Sequence, residues 1–326
     1  MKKLFILIFS LLLILTFTSC SNYKKEKKTE PPKLEQPDQS NPPIVKDTTF
    51  MDPTKKIYAV MIDNISVARP QSGISKADII YEALAEGGIP RLMAVFNSSY
   101  PEKVGPIRSA RPYFVYIAKE MNAHYVHVGG SDEALKEIKN LGLKDYSAMF
   151  MTNPFFIDKK RSAPHNTYIS LKDLSTINMY SSGTFNIPFN FSGSFRDGNT
   201  KKIVIPYNKS YVVEYRYDTT NNHYYRFVNG KPFVDREDGS QLYADNVIIQ
   251  YAKHTVLDKV GRLRIDIIGK GKAEFFINKE HIKGYWQRDG INGMTKFYDE
   301  NGKEIKFYPG KTWVQIVPDS TEIEVD

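Results

Sequence analysis

The chain has 326 residues, of which 41% are apolar, and a formal net charge of +8 at pH 7. It contains one cysteine, so no disulfide can form within the chain and a disulfide-stapled scaffold is excluded. A chain of this length buries enough apolar surface to be stable through packing alone, and its length favours two domains.

The N-terminus has the pattern of a bacterial export signal. Two lysines follow Met1, and residues 4–17 form an apolar stretch that is too short to span a bilayer. Small residues then precede Cys20, as in the lipobox of bacterial lipoproteins. We therefore predict a signal peptide over residues 1–19 and a lipid anchor on Cys20, on the extracytoplasmic face of the cell membrane. A secreted protein with one unpaired thiol is the alternative.

Residues 20–54 are predicted to be a disordered, lipid-anchored linker. They are rich in Lys, Glu, Pro, Gln, Asp and Ser and poor in apolar residues, a composition that cannot form a core. The basic run at 24–28 lies beside the predicted anchor, where it would face anionic lipid headgroups. Because the predicted location is outside the cell, nucleic acid is excluded as a partner.

The first folded domain is predicted over residues 55–198. Ile57–Ile62 is continuously apolar, which predicts a strand buried on both faces, and it ends at Asp63. Ala77–Ala85 and Leu92–Phe96 flank two glycines, which predicts an antiparallel hairpin, although the Ala, Leu and Glu content of the first segment also suits a helix.

Helices follow in the same domain. Pro112 suits a first helical residue and begins an apolar-periodic segment. Ser131 and Ser170 are typical N-caps of two further helices. A strand lies between the first two helices, and its His124 and His127 should face opposite sides. This mixture predicts an N-terminal mixed α/β sandwich.

The second folded domain is predicted over residues 199–326. Short alternating segments are separated by turn residues, including Asn229-Gly230 and Asn301-Gly302, which are hairpin signals. We expect an antiparallel β-rich domain that binds a ligand or supports the first domain. The predicted fold class is therefore α+β, with an N-terminal mixed α/β sandwich domain followed by a C-terminal antiparallel β-rich domain.

Charged residues at the ends of apolar segments form the candidate site. Arginine forks suit phosphate or carboxylate, and aspartates beside them suit a hard cation such as Mg²⁺ or an arginine partner. His165, in a polar loop, suits a proton shuttle or an anion contact. Asp63 and Asp78 are the predicted metal ligands. The predicted anion-binding residues are Arg69, Arg91, Arg108, Arg111 and His165. The alternative is that these charges cap helices and pair with one another on the surface.

Several motifs resemble the YerB-type lipoproteins of Gram-positive bacteria. These motifs are Ala59–Asn64, Ala68–Gly73, Ala83–Gly88, Val104–Pro112, Ala163–Asn166 and Gly310–Trp313. The resemblance covers almost the whole chain. It implies two domains that occur together and a place on the outer face of the membrane, and it implies no mechanism.

The first domain is also similar to the LytR–CpsA–Psr phosphotransferases. Asp63 matches the aspartate that ends their first strand, and Arg69 and Asp78 match their second motif across an insertion. Pro106–Arg108 matches their third motif, with Ser109 where that family has aspartate. The similarity implies magnesium-dependent transfer of glycopolymers from polyprenyl-pyrophosphate carriers.

Two functions follow from these patterns. One is a lipid-anchored envelope protein that binds a phosphate-bearing or carboxylate ligand, or a partner, through the arginine-rich site. Its partner would be a cell-wall polymer, a polyprenyl phosphate or an envelope protein. The alternative is a magnesium-dependent phosphotransferase acting on polyprenyl-pyrophosphate-linked glycopolymers. The most informative structural observation is whether the four guanidinium groups converge on one cavity.

Overall fold

A computed structural model describes residues 50–180, 183–192 and 197–326. The predicted signal peptide, Cys20 and residues 21–49 of the predicted linker lie outside these ranges. The first part of the chain forms β1 (Tyr58–Ile62), β2 (Ile79–Leu84), β3 (Pro90–Phe96), α1 (Pro112–Glu120), β4 (His124–His127), α2 (Asp132–Asn140), β5 (Lys144–Ser147), β6 (Phe155–Ile157), β7 (Thr167–Ile169), α3 (Leu171–Thr176) and β8 (Asn190–Phe191).

The remainder of the described chain is built from strands. They are β9 (Lys202–Asn208), β10 (Tyr211–Asp218), β11 (His223–Val228), β12 (Lys231–Pro232), β13 (Tyr243–Ala244), β14 (Asn246–Ala252), β15 (His254–Val256), β16 (Leu263–Ile265), β17 (Gly269–Ile277), β18 (Glu280–Arg288), β19 (Lys296–Asp299), β20 (Lys306–Phe307), β21 (Thr312–Pro318) and β22 (Glu324–Val325). The α+β class is therefore confirmed in its coarse form, with β structure predominant.

One ten-stranded sheet runs through the molecule in the order β19-β18-β17-β14-β21-β2-β3-β1-β4-β5. It contains strands from both segments that were predicted as domains, because β2 pairs in parallel with β21, from Ile79↔Thr312 to Ala83↔Ile316. β14 and β21 also pair in parallel, so the prediction of an antiparallel second domain was wrong for this pair of strands. The division into residues 55–198 and 199–326 stays a prediction about the sequence.

The large sheet is covered on both faces, which explains the continuous apolarity of its strands. On one face, Ala59 and Met61 pack in a core with α1 and α2. On the other face, Val60 and Ile62 pack in a core with α3 and the second sheet. That second sheet has the order β12-β11-β10-β9-β22, with β13 paired to β11. β1 is fully buried, so the predicted two-sided burial of this strand is confirmed.

Local signals place the helices and the hairpin as predicted. α1 begins at Pro112, where a missing backbone N–H does no harm. The Ser131 hydroxyl accepts a hydrogen bond from the Ala134 N–H at 3.2 Å and caps α2. Ser170 caps α3 in the same way. β2 and β3 form the antiparallel hairpin, so the helical alternative for residues 77–85 was wrong. No helix of the described ranges combines the length and the apolarity that crossing a membrane requires.

A buried ion pair joins the large sheet to the second sheet. Glu82 of β2 accepts a hydrogen bond from Arg226 Nη2 of β11 at 2.6 Å, and both side chains are fully buried. The Tyr211 hydroxyl donates to Glu82 at 2.6 Å, and Arg226 donates to the Tyr215 hydroxyl at 2.8 Å. The guanidinium also lies 4.1 Å from the centre of the Trp313 ring. Burial alone would lower the pKa of Arg226, but the Glu82 carboxylate raises it above its usual value.

A second buried pair links α1 to the distal part of the large sheet. Arg288 Nη1 of β18 lies 3.1 Å from a carboxylate oxygen of Glu120. Thr295 donates to the same oxygen from its backbone N–H at 3.0 Å and from its hydroxyl at 2.8 Å. Burial raises the pKa of Glu120 despite the neighbouring guanidinium. Buried charges from both segments are thus compensated across the predicted domain boundary.

Glu274 of β17 makes stability depend on pH. It accepts hydrogen bonds from His281 Nε2 at 2.6 Å and from the Tyr251 hydroxyl at 2.9 Å, and Lys272 Nζ lies 2.7 Å away. Burial alone would raise its pKa, but these donors lower the pKa of Glu274 to about 2. A carboxyl group with a depressed folded-state pKa stabilises the fold above its unfolded value, about 4.3.

We therefore expect the stabilisation from Glu274 to be complete above about pH 4.3 and to be lost as the pH falls toward 2. The measurement compares urea unfolding of the natural chain with that of Glu274→Gln at several pH values. The stability difference should shrink progressively in this window. A difference that is the same at pH 7 and at pH 2.5 would show that the carboxylate charge is not responsible.

Candidate functional site

The carboxyl ends of several strands meet at one edge of the large sheet. β1 is parallel to β4, and β4 is parallel to β5. β2 runs in the same direction as β1, because both pair antiparallel with β3. The loops after β1, β2, β4 and β5 therefore lie at this edge, which we call the carboxyl edge. Ligands of sheets with parallel strands commonly bind at such an edge.

A segment after β3 crosses the end of β1 and brings Arg108 to Asp63. The Arg108 N–H donates to the Met61 carbonyl at 2.9 Å, and the Asp63 N–H donates to the Pro106 carbonyl at 2.9 Å. These bonds fix the backbone on both sides of the strand end. Arg108 Nε then lies 3.4 Å from Asp63 Oδ2.

His165 completes a three-residue cluster at the carboxyl edge. Its Nδ1 lies 2.7 Å from Asp63 Oδ2, the same oxygen that Arg108 approaches, and the Ile65 N–H donates to Asp63 Oδ1 at 3.2 Å. The side chains are 6% exposed for Asp63, 19% for His165 and 31% for Arg108. The carboxylate is therefore enclosed, whereas the two cationic side chains reach solvent. We call this group the Asp63–His165–Arg108 cluster.

The outward nitrogens of the cluster are unengaged. An ionised carboxylate can only accept, so His165 donates its Nδ1–H to Asp63 and turns Nε2 away from it. Among the residues that the structure describes, His165 Nε2 and the Nη1 and Nη2 groups of Arg108 have no hydrogen-bond partner in the protein. The buried Asp63 carboxylate thus holds an imidazole nitrogen and a guanidinium fork that both face away from it.

The loop that carries His165 is held to the rest of the edge. β6 and β7 form a hairpin around it, and the Thr167 carbonyl accepts a hydrogen bond from the Ile107 N–H at 2.7 Å. Arg161, in the same loop, donates from Nη1 to the Val67 carbonyl at 2.9 Å and from Nη2 to the Pro70 carbonyl. His165 is therefore placed by backbone contacts on two sides.

Arg91 and Arg111 are engaged by a different carboxylate. Arg111 binds both oxygens of Glu86, through Nε and through Nη2, the latter at 2.6 Å. Arg91 Nη2 lies 3.6 Å from Glu86, and its Nη1 donates to the Ser109 carbonyl at 3.0 Å. Burial, with the nearby Arg111 charge, lowers the pKa of Arg91 to about 10. Sequence reasoning did not identify Glu86 as their partner, although it lies in a quoted motif.

Arg69 occupies a third setting. Its guanidinium lies 5.5 Å from the centre of the Tyr211 ring, and its Nε is buried without a hydrogen-bond partner. The four arginines are thus divided among Asp63, Glu86 and Tyr211. The structure therefore does not show one pocket shared by the four arginines. Of the four, Arg108 is the one that lies beside His165 at Asp63.

Asp78 lies at the opposite edge of the sheet from Asp63. It directly precedes β2 and accepts hydrogen bonds from the Asn97 N–H at 2.7 Å and from the N–H and hydroxyl of Ser98, the former at 2.9 Å. The two aspartates cannot ligate one ion from opposite ends of the strands, which corrects their assignment to a shared Mg²⁺ site. Within the described ranges no group of three or more His, Cys, Asp or Glu side chains is arranged to hold a metal.

The two strand histidines belong to the cores. His124 Nδ1 lies 3.2 Å from the Tyr146 hydroxyl, and burial lowers its pKa to about 3. His127 bonds the Gly129 carbonyl at 2.6 Å and Asp145 at 2.7 Å. The rings have different partners on different faces of β4, as the spacing predicts.

A cavity of about 270 Å³ lies at the edge that carries Asp78. Its charged groups are already compensated: Lys311 Nζ donates to the carbonyls of Ser75 at 2.7 Å and Ala77 at 2.9 Å, and Lys76 pairs with Asp238 at 3.0 Å. The cavity therefore lacks the unengaged donors that distinguish the Asp63–His165–Arg108 cluster.

Known proteins place the chain in a family. Residues 47–184 match the model described as "Protein of unknown function (DUF3048) N-terminal domain", and residues 203–314 match the corresponding C-terminal domain. The chain is 37% identical over 275 residues to "Putative lipoprotein YerB" of Bacillus subtilis (strain 168), which covers 81% of this chain and 82% of that protein. The crystal structure of YerB from Bacillus subtilis superimposes with a TM-score of 0.74 at 35% identity, covering 83% of this chain and 94% of that chain. The resemblance to YerB-type proteins is confirmed, and the chain belongs to the DUF3048 family.

Proposed function

We propose that the protein is a membrane-anchored lipoprotein of the bacterial cell envelope that binds a phosphate-bearing or carboxylate ligand at the Asp63–His165–Arg108 cluster. The anchor is supported by the lipobox-like residues before Cys20 and by the name of the Bacillus subtilis relative. The ligand is supported by the geometry of the cluster. One enclosed carboxylate orients two cationic side chains whose outward nitrogens have no protein partner in the described ranges.

The chemistry of the cluster suits an anion better than a cation. Asp63 Oδ2 already accepts from His165 and faces Arg108, and Oδ1 accepts from the Ile65 N–H. The carboxylate therefore has little capacity left for a metal ion. The free fork of Arg108 can donate two parallel hydrogen bonds to phosphate or carboxylate oxygens. Lys159 and Lys160, in the loop of His165, are exposed and add positive potential around the cluster.

The phosphotransferase alternative receives less support. It needs Asp63 and Asp78 on one magnesium ion, and these residues lie at opposite edges of the sheet, with Asp78 engaged by Asn97 and Ser98. The proposed function is accordingly binding, with no assigned turnover.

Arg108→Ala is expected to weaken pyrophosphate binding about tenfold or more, the effect of losing one charge-assisted contact. The measurement is calorimetric titration of the chain Ile44–Asp326, which forms one compact unit and contains both cores, with inorganic pyrophosphate. His165→Ala should also weaken binding, because it removes the second outward nitrogen.

Arg264→Ala is the matched control. Arg264 is 56% exposed on β16 and pairs with Asp266, not with a residue of the cluster. Its removal changes the net charge by the same amount and should leave the affinity within about twofold. Failure of the natural chain to bind pyrophosphate at millimolar concentration would contradict the proposal. An equal loss in both arginine variants would show that binding depends on net charge and not on the cluster.

A further inference from the structure

Large apolar side chains are exposed around the Asp63–His165–Arg108 cluster. Met149 is 70% exposed, Phe150 66%, Val67 64% and Ile157 56%. Isolated exposed apolar residues are common, but an apolar group at one place of the surface marks an interaction site. We call these four residues the apolar rim.

The rim residues belong to segments that neighbour those carrying the cluster. The Val67 carbonyl accepts from Arg161, which is in the loop of His165. Ile157 ends β6 and enters that same loop. Met149 packs near Gly129, within 3.8 Å of the position a Cβ atom would take there. The adjacent Val128 N–H donates to the Arg108 carbonyl at 3.1 Å. The rim residues therefore lie on segments next to those that carry Arg108 and His165.

The charge beside the rim is positive. Lys159 and Lys160 follow Ile157 and are exposed. The acidic residue between Ile157 and Lys159, Asp158, is buried and is compensated by Lys103 at 3.1 Å and Arg236 at 3.2 Å. An acidic surface is therefore complementary to this part of the molecule, and the exposed apolar side chains suit a surface with an apolar layer beneath it.

We propose that the apolar rim docks on an anionic lipid bilayer. Met149 and Phe150 enter the interfacial region, and Lys159 and Lys160 contact the headgroups. The Asp63–His165–Arg108 cluster then faces the plane of the lipid phosphates. Docking itself does not depend on the anion site, because the rim side chains are separate from Arg108 and His165. Docking of the apolar rim extends the proposed function, because it places the anion site at the membrane surface.

The length of the chain before the folded part permits this orientation. The described residues begin at Phe50, and the Asp52 N–H donates to Asn97 at the end of β3, on the edge opposite the rim. About 30 residues separate Cys20 from Phe50, and such a segment reaches at most about 100 Å when fully extended. The strands of the sheet are only about 20 Å long. An anchor at Cys20 therefore allows the opposite edge to reach the same bilayer.

The test is co-sedimentation of the chain Ile44–Asp326, without a lipid anchor, with vesicles of two compositions. Vesicles of phosphatidylglycerol and phosphatidylcholine should bind the chain, and binding should weaken as salt increases. Phosphatidylcholine alone should bind it at least about tenfold more weakly. The double variant Met149→Ser/Phe150→Ser should lower partitioning onto the anionic vesicles by at least about tenfold. Lys159→Gln/Lys160→Gln should reduce both the binding and its salt dependence.

The matched control is Met179→Ser, since Met179 is 48% exposed and its neighbour Asn178 contacts Lys56, just before β1, on the edge opposite the rim. This control should bind the vesicles like the natural chain. Pyrophosphate affinity should be unchanged in Met149→Ser/Phe150→Ser, so loss of docking is distinguishable from loss of the anion site. The proposal is overturned if the natural chain does not bind anionic vesicles, if Met179→Ser loses as much binding as the rim variant, or if Met149→Ser/Phe150→Ser binds them as the natural chain does.

Discussion

Glu82→Ala is expected to lower the free energy of unfolding by about 3–5 kcal/mol, the effect of removing one partner from a buried ion pair. The substitution leaves the Arg226 guanidinium fully buried without a counter-charge. It also removes the acceptor of the Tyr211 hydroxyl and the contact with Asn64 Nδ2 at 3.4 Å. Arg226 cannot lose its proton as an escape, because an arginine side chain remains charged in proteins.

Urea unfolding followed by tryptophan fluorescence measures this loss directly. Trp313 lies against Arg226 and should report the transition. Lys172→Ala is the control, since Lys172 and Glu102 form an ion pair with both side chains more than 60% exposed. Such a pair contributes less than about 1 kcal/mol. A Glu82→Ala loss as small as that of Lys172→Ala would contradict the importance of the buried pair.

Glu82→Gln keeps the prediction testable if the alanine variant does not fold. Glutamine retains an acceptor for Tyr211 but removes the charge that faces Arg226, so its loss should be intermediate. The double variant Glu82→Leu/Arg226→Met should be more stable than Glu82→Ala, because replacing both charges removes the desolvation cost of the pair. A double variant less stable than Glu82→Ala would show that the polar network stabilises beyond the ion pair.

The buried pairs explain why the two matched segments fold together. Glu82 lies in the first segment and Arg226 in the second, 144 residues apart. Glu120 and Arg288 repeat this arrangement on the other face of the large sheet. In the described structure each segment therefore supplies a counter-charge for a side chain of the other segment.

Local features of the fold could be predicted from the sequence because their causes are local. The apolar run of β1, the hairpin of β2 and β3 and the serine caps of α2 and α3 each depend on a few neighbouring residues. Strand β9 was not among the predicted elements, and it contains Pro206 at one of its less buried positions. Proline within a strand normally argues against that assignment.

The partners of charged residues could not be predicted in the same way. His165 and Asp63 were both candidates, but in separate roles, and their contact spans 102 residues. The Glu86 carboxylate pairs with both Arg91 and Arg111. It can do so only because the turn after β2 and the start of α1 meet at the carboxyl edge. Such pairings depend on strand order, which the periodicity of a single segment does not contain.

Gly73→Ala is the second substitution with a large expected effect. It tests why the motif Ala68–Gly73 ends in glycine. Gly73 has φ of +74°, and a Cβ atom there would lie 2.3 Å from the Lys103 carbonyl oxygen. Its neighbours join the same two segments: the Ser72 N–H donates to the Gly105 carbonyl at 2.8 Å. The amide of Gln71 donates to the Asp63 carbonyl at 3.0 Å. An added methyl group must therefore separate backbones that position the Asp63–His165–Arg108 cluster.

We expect Gly73→Ala to lower the free energy of unfolding by about 2–5 kcal/mol, as the sum of about 1–2 kcal/mol for a left-handed conformation and about 1–3 kcal/mol for overpacking. Gly87→Ala is the matched control, because Gly87 has φ of +66° and has no atom within 4 Å of the added Cβ position. It should lose only the conformational part, about 1–2 kcal/mol. Urea unfolding measures the loss in free energy of unfolding for both variants. The difference between the two losses is the steric part. Equal losses would mean that the Lys103 carbonyl moves aside freely, and the close approach of residues 72–73 to 103–105 would then not be what requires glycine in this motif.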